Sequence, residues 1–322
     1  MINNTNAKHR GRRVLIAGGG IAGLSLARAL KDAGHNPLVI ERSREWPTTD
    51  TAHYLPVNAL RALDQLGLGE AVTAAAHPIS RQRVTGARGR TLVDLPVSSI
   101  WGNGGQSVAI RRNALHELLQ AATPDVAVRR GTTIAARLRN GAIKLSDGSI
   151  EQCDVLVGAD GADSVVRTAG IGGTAPQHTS RWCWRFIADG WSGEEDTWRA
   201  RLAPGRSLVT MPLGDWRNYF DDFGMPVTDL LTQGGHAYAT PITEVDQPYA
   251  FLGRTVLIGD AAHAMSHRWA RVSPWLWRTH SCLQRRSAAC RLTMRCRRRS
   301  NGGLRGSLGF VRRPIAATAL EA

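Results

Sequence analysis

A glycine-rich turn between a strand and a helix constrains this chain more than any other feature. Val14-Leu15-Ile16-Ala17 is a short apolar run, and Gly18-Gly19-Gly20-Ile21-Ala22-Gly23 follows it and opens a helical pattern of apolar residues. In such a turn Gly18 permits the tight geometry, Gly20 lets the backbone approach a pyrophosphate, and Gly23 lets the helix pack on the strand. The pyrophosphate would lie on the helix amino terminus, which includes Ile21 and Ala22.

An acidic residue lies at the distance that a dinucleotide unit requires. The second strand, 37–40, ends at Glu41, about 20 residues beyond the glycines, where a carboxylate accepts hydrogen bonds from ribose hydroxyls. Glu41 and the adjacent Arg42 are therefore predicted cofactor-binding residues. An acid here favours a free ribose 2′-hydroxyl, which FAD and NAD have and NADP lacks. The glycines alone do not separate FAD from NAD.

Two later motifs separate these dinucleotides. Residues 155–161 form a second apolar strand that runs into Ala159-Asp160-Gly161 and continues to Arg167, and residues 254–260 form a third that runs into Gly259-Asp260. The order GGGIAG, GADGADSVVR and RTVLIGDAAHAM resembles the single-component FAD-dependent aromatic hydroxylases, the flavoprotein monooxygenases similar to para-hydroxybenzoate hydroxylase. The resemblance implies FAD as the cofactor, with NADPH or NADH as the electron donor.

The resemblance also implies roles for individual residues. Asp160 and Arg167 would serve the FAD pyrophosphate region and the nicotinamide donor, Gly259 and Asp260 would contact the ribityl chain, and Arg112 would reach the flavin cofactor from a helix start. In this family reduced flavin captures O2 as a C4a-hydroperoxide and transfers an oxygen atom to an electron-rich substrate, so no catalytic side chain is assigned. A small aromatic or other apolar substrate would be hydroxylated or epoxidised.

The predicted fold class is α/β, a Rossmann-like FAD-binding domain with an inserted antiparallel-sheet substrate domain. FAD-binding parts are predicted at 1–73, 109–174 and 251–266, and substrate-domain strands at 74–108 and 175–250, where apolar and polar residues alternate. Residues 267–322 form a basic tail, which we expect to be disordered or non-native.

The charge of the chain is concentrated in that tail. The net charge is +15, but residues 267–322 hold 13 arginines, no lysine and a single acid, Glu321. Nucleic-acid binding through this tail is a possible function, but the tail lacks a recognisable binding module, so we expect no nucleic-acid partner. The five cysteines show no paired spacing, and no apolar run suits a membrane or a signal peptide. A cytoplasmic protein without a metal is expected, and its oligomeric state is open.

The sequence departs abruptly from the family pattern after Ser266. The family continues with a proline and a Gly-Gln-Gly turn, whereas this chain reads His267-Arg268-Trp269-Ala270-Arg271. Codons permitted for these five residues, read one base later, give Ile-Gly-Gly-Gln and the start of another glycine codon. Two later segments recover family-like helices when they are read two bases later. We predict that residues from about 267 onward are translated from shifted frames. The alternative function is thus an FAD-binding remnant without monooxygenase activity.

Overall fold

A parallel sheet forms the centre of the structure, a computed structural model that describes residues 11–46, 51–102, 105–189, 196–213, 216–221, 238–246 and 250–265. The predicted tail lies outside these residues, so the prediction of a disordered or non-native tail stays a prediction. The same holds for the shifted frames after Ser266.

The parallel sheet has six strands in the order β18-β19-β12-β1-β2-β8. All neighbours are parallel except β18 and β19. Strands β1 and β12 are neighbours in this sheet. Both are short apolar runs that are buried on both faces, as is typical of parallel strands. The strands are β1 (Arg13–Ala17), β2 (Asn36–Glu41), β8 (Ala127–Arg130), β12 (Val155–Gly158), β18 (Phe251–Leu252) and β19 (Thr255–Leu257).

Helices pack beside this sheet. On the helix that follows β1, Leu26 and Ala27 pack with apolar residues of the sheet, whereas Leu24 packs with Leu115 and Leu119 of a neighbouring helix. The helices are α1 (Ile21–Asp32), α2 (Val57–Asp64), α3 (Gly69–Ala74), α4 (Val97–Trp101), α5 (Arg112–Ala121) and α6 (Asp260–His263), with a short π-helix at Val166–Gly170.

A second sheet has seven strands in the order β17-β13-β16-β15-β14-β5-β6. Its strands are β5 (Arg81–Gly86), β6 (Thr91–Pro96), β13 (Gln177–Asp189), β14 (Thr197–Ala203), β15 (Arg206–Leu213), β16 (Trp216–Asp221) and β17 (Tyr238–Glu244). It joins strands from both segments that the sequence placed in the substrate domain. Its pairs are antiparallel except β14 with β5, which run parallel. These two strands are far apart in sequence, so the intervening chain can cross over and enter the sheet in the same direction.

Two small antiparallel sheets complete the described fold, in the orders β3-β7-β4 and β11-β10-β9. They consist of β3 (Ala52–Leu55), β4 (His77–Ile79), β7 (Ser107–Arg111), β9 (Ile134–Arg137), β10 (Ile143–Leu145) and β11 (Ile150–Glu151). Strand β7 leads directly into α5, so the first of these sheets fixes where that helix begins. The predicted α/β class, with a dinucleotide-type parallel sheet and a largely antiparallel second sheet, is confirmed. Among the described helices, none has the length and apolar character needed to cross a membrane.

Candidate cofactor site

The glycine turn after β1 is built by contacts that leave no room for larger residues. Gly18 has φ of +107°, and a Cβ atom there would lie 2.3 Å from the carbonyl oxygen of Ala159. A Cβ at Gly23 would lie 1.9 Å from the carbonyl oxygen of Gly18, so this glycine lets α1 approach the turn. A Cβ at Gly20 would meet nothing within 4 Å. Gly18 and Gly23 therefore serve packing, while Gly20 faces open space, where a ligand fits.

The three glycine-containing motifs meet at one edge of the parallel sheet. The N–H of Ala159 donates to the carbonyl of Ala17 over 2.7 Å, which holds the end of β12 beside the end of β1. On the other side, a Cβ at Gly259 would lie 3.0 Å from Cβ of Ala22, so the Gly-Asp motif approaches the start of α1. Because parallel strands end at the same edge, motifs far apart in the sequence form one site there.

Glu41 lies at the end of β2 and is held by backbone donors. Its Oε2 accepts a hydrogen bond from the N–H of Gly19 over 2.8 Å, and its Oε1 accepts one from Ser43 over 2.9 Å. The carboxylate is half-buried and lines a cleft of about 230 Å³. It is thus oriented beside the glycine turn, as a ribose-binding acid requires. Arg42 is exposed and lines the same cleft.

Asp160 has one oxygen engaged and one without a partner. Its Oδ2 accepts hydrogen bonds from the N–H groups of Val165 and Val166 over 2.9 and 3.3 Å. Its Oδ1 is buried and has no hydrogen-bond partner within the described part of the chain. Since a buried acceptor without a donor is costly, and since Asp160 lines the cleft, this oxygen fits a donor from a bound cofactor.

Arg167 is fully buried and bonds to backbone carbonyls. Its guanidinium donates to Thr174 over 2.7 Å, to Ala261 over 2.9 Å and to Ala162 over 2.5 Å. Removal from water lowers the pKa of Arg167, and the charges of Asp160 and Asp163 oppose this shift. Its contacts join the motif after β12 to α6, and it does not line the cleft, so the structure gives it a positioning role.

Asp260 lies at the start of α6, in surroundings unlike those of Glu41. Its side chain is exposed to solvent, yet protein surrounds it closely enough that desolvation raises the pKa of Asp260, while His263 and Arg185 oppose the rise. Arg185 belongs to β13, so the second sheet brings a positive charge near the Gly-Asp motif.

Two residues that the sequence reasoning did not select line the cleft. Nε2 of His116 lies 2.8 Å from the carbonyl oxygen of Gly19, and its ring meets the Trp46 ring edge-on with centroids 4.8 Å apart. Arg130 stacks over the Trp46 ring, with its guanidinium carbon 5.7 Å from the centroid. A signal for His116 exists in the sequence, because Arg112, His116 and Gln120 are spaced four apart and share a face of α5.

The cleft brings together half of the twelve predicted cofactor-binding residues. Gly18, Gly20, Glu41, Arg42, Arg112 and Asp160 line it. Ile21, Ala22, Gly23, Arg167, Gly259 and Asp260 do not, although Ala22 and Gly259 contact each other beside it. The cleft combines a glycine turn, a helix amino terminus without a side-chain cap, and three acidic side chains, Glu41, Asp160 and Asp163. This set can hold a pyrophosphate on backbone N–H groups and sugar hydroxyls on carboxylates. Within the described residues, no cluster of three metal-binding side chains occurs.

Comparison with known proteins places the chain among flavoproteins. The family model described as FAD binding domain matches residues 12–188. Aurachin C monooxygenase/isomerase from Stigmatella aurantiaca is 29% identical over 289 residues, covering 80% of this chain and 75% of that protein. The 2-heptyl-3-hydroxy-4(1H)-quinolone synthase of Pseudomonas aeruginosa is 29% identical over 286 residues, covering 79% and 75%. Klebsiella pneumoniae HpxO, as a variant in complex with FAD, has a similar fold with a TM-score of 0.74 at 21% identity, covering 87% of this chain and 84% of that chain.

Proposed function

Since this chain belongs to the FAD binding domain family, we propose that it is an FAD-dependent, NAD(P)H-using monooxygenase that acts on a small aromatic substrate. The observation that carries the proposal is the cleft where the glycine turn, Glu41 and the partnerless oxygen of Asp160 converge. Bound FAD would supply electron transfer from NAD(P)H and activation of O2. The chain itself would supply binding, orientation and exclusion of water.

The adenosine and pyrophosphate half of FAD would bind along the ends of β1 and β2. Glu41 would accept hydrogen bonds from the ribose hydroxyls, and the open space beside Gly20 would receive the pyrophosphate. Arg112 lines the same cleft from the first residue of α5, where its charge suits a phosphate. Asp160 would accept a hydrogen bond through Oδ1 while Oδ2 keeps the following segment in place.

The flavin half would extend toward the Gly-Asp motif and the second sheet. Asp260 is exposed beside α1, where its carboxylate would accept hydrogen bonds from the ribityl chain. Arg185 of β13 donates to Oγ1 of Thr240 on β17 over 2.8 Å, and its charge acts on Asp260. The second sheet therefore supplies a fixed cation near the proposed flavin position. This arrangement supports substrate binding between that sheet and the flavin.

The substrate class to test first follows from a relative's name. One relative is named as a 2-heptyl-3-hydroxy-4(1H)-quinolone synthase, which points to a nitrogen-containing aromatic ring with an apolar chain. We propose 4(1H)-quinolones and related electron-rich aromatic compounds as the substrate class of this chain. An electron-rich ring suits transfer of an oxygen atom from a flavin, and an apolar side chain would bind in a dry pocket.

The test is a visible spectrum followed by turnover. The purified chain is expected to be yellow and to release FAD on denaturation. It should oxidise NADH or NADPH faster when a 4(1H)-quinolone is present, and the product should carry one oxygen atom from labelled O2. An Asp260→Asn variant should retain the fold and lose part of its bound flavin. A folded, colourless protein that does not bind added FAD would overturn the proposal. A yellow protein without NAD(P)H oxidation would favour the FAD-binding remnant.

A further inference from the structure

His116 lies on α5 and contacts the backbone of the glycine turn. It is 6% exposed on α5, and its Nε2 lies 2.8 Å from the carbonyl oxygen of Gly19, 97 positions earlier in the chain. A carbonyl oxygen can only accept, so Nε2 carries the hydrogen. The other ring nitrogen, Nδ1, lies 2.8 Å from Nε2 of Gln120, which can donate to it. Gln120 thus selects the imidazole tautomer that holds Gly19.

The contact with Gly19 determines the direction of the next N–H group. A peptide unit is planar and trans, so its carbonyl and the following N–H point in opposite directions. Holding the Gly19 carbonyl toward α5 directs the Gly20 N–H away from α5. On the other side of Gly19, its own N–H donates to Glu41 over 2.8 Å. Both peptide groups of Gly19 are therefore fixed, and the open space lies beside Gly20.

The imidazole is itself held in place by an aromatic neighbour. The Trp46 ring contacts it edge-on at an interplanar angle of 71°, and a Cβ at Gly19 would lie 2.9 Å from that indole. Trp46 thus covers both partners of the His116 contact with Gly19. Arg130 covers the indole in turn, through a cation–π contact. Hydrogen-bond partners at both ring nitrogens and the Trp46 contact hold the ring of His116 in this orientation, which suits a positioning role.

We propose that His116 is a positioning residue for FAD, which acts through the carbonyl of Gly19 to aim the Gly20 N–H at the pyrophosphate. The inference rests on the proposed function, because it requires that the chain binds FAD. His116 would orient the turn before FAD binds, so that binding does not have to order this part of the backbone. His116 itself need not touch FAD.

The test measures FAD affinity in two nearly isosteric variants of the full-length chain. His116→Gln keeps a donor near the position of Nε2, whereas His116→Met fills similar space without a donor. Loss of one positioning hydrogen bond is expected to weaken FAD binding by roughly tenfold in His116→Met, with recovery toward the parent in His116→Gln. The exposed neighbour Glu117 on α5 provides the control, and Glu117→Gln should bind FAD like the parent chain.

The outcomes separate this inference from the proposed function. If the parent chain does not bind FAD, the proposed function fails. If the parent binds FAD and His116→Met binds it equally well, or if the Gln and Met variants are equally weak, the positioning role of His116 is overturned. Melting of the FAD-free proteins checks folding. If His116→Met does not fold, Gln120→Leu decides, because loss of the tautomer-selecting partner should weaken FAD binding, and unchanged affinity would contradict the inference.

Discussion

The guanidinium of Arg167 donates a hydrogen bond to the carbonyl oxygen of Ala261 over 2.9 Å, across 94 positions of sequence. This contact joins the motif after β12 to the motif after β19. The same side chain holds Ala162 and Thr174, so one buried cation organises three backbone segments. The relative placement of Asp160 and Asp260 therefore depends on a residue that contacts neither the cleft nor solvent.

Arg167→Met is expected to destabilise the fold. Removal of the guanidinium leaves three backbone carbonyls without their donors, and each buried unsatisfied group costs about 1–3 kcal/mol. We expect a loss of about 3 kcal/mol or more in the free energy of unfolding, measured by urea denaturation. Arg167→Lys, which keeps the charge but not the fork of donors, should also be destabilised. Unchanged stability with a raised KM for NAD(P)H would instead support the donor contact predicted from sequence.

Two alanine substitutions in the glycine turn should have opposite effects. Gly18→Ala places a Cβ 2.3 Å from the Ala159 carbonyl at a positive φ, so we expect little folded protein. Gly20→Ala adds a Cβ to open space at a φ of −76°, so the FAD-free protein should fold and melt near the temperature of the parent chain. The gain from a less flexible unfolded chain is opposed by the poorer suitability of alanine for a helix N-cap. Its FAD affinity should fall, because the Cβ enters the pyrophosphate position. Soluble yield, melting and FAD titration give these results, and intact FAD binding in Gly20→Ala would contradict the assignment.

The two carboxylate oxygens of Asp160 differ in their hydrogen bonding, so we expect substitutions there to affect the stability of the fold and the affinity for FAD separately. Asp160→Ala removes the acceptor for Val165 and Val166 and should cost about 1 kcal/mol in the free energy of unfolding, as loss of a helix cap does. Asp160→Asn can keep one acceptor in that position and should be nearly as stable as the parent. Both variants should bind FAD more weakly, since Oδ1 is replaced or lost. Full FAD affinity in Asp160→Asn would show that Oδ1 does not serve the cofactor.

The parts of the site that sequence predicted are the parts encoded locally. Gly18, Gly20 and Gly23 lie within six residues, and Glu41 follows at a spacing that the strand–helix–strand unit imposes. The predicted FAD-dependent monooxygenase family is confirmed by the family match and by relatives such as a 3-amino-4-hydroxybenzoate 2-monooxygenase. The prediction of FAD rather than NAD as the bound cofactor followed from three motifs whose order along the chain resembles that of the flavoprotein monooxygenases.

What sequence did not predict depends on contacts between distant segments. The bond between His116 and Gly19 joins α5 to the first turn, and nothing near either residue indicates the other. The role of Arg167 also required the fold, because its motif suggests a ligand contact while its burial is set by segments around Ala162 and Ala261. The parallel pairing of β14 with β5 was likewise missed, since alternation indicates a strand but not its partner.

Low pH is expected to destabilise the protein through His116. Burial lowers the pKa of this imidazole below its ordinary value. The unfolded chain therefore binds a proton more readily, and stability is lost as pH falls below the unfolded pKa of about 6.5 toward the folded value. The charged groups around the ring have opposing effects on the pKa of His116. Glu41 and Glu117 raise this pKa, and Arg112 lowers it. Arg130 lies beyond Trp46, which it covers.

The pH effect is measured as a difference between two proteins. Urea denaturation at pH 7.5 and at about pH 5.5 should show a larger loss of stability for the parent than for His116→Gln, which does not titrate. The difference removes contributions from other groups that titrate in both proteins. Equal losses in the two proteins would mean that His116 does not titrate differently on folding.

The region after Ser266 gives a prediction that needs no folded protein. If the frame shifts there, DNA read independently across codon 266 should contain a reading frame that encodes Ile-Gly-Gly-Gln in place of His267-Arg268-Trp269-Ala270-Arg271. A Gly-Gln-Gly turn at this point would present backbone N–H groups near the flavin, as the family resemblance implies. A gene rebuilt in that frame should give a chain that retains FAD more tightly than the present one. An unbroken frame in the DNA, together with an intact protein mass that matches residues 1–322, would establish the basic tail as a genuine part of the molecule.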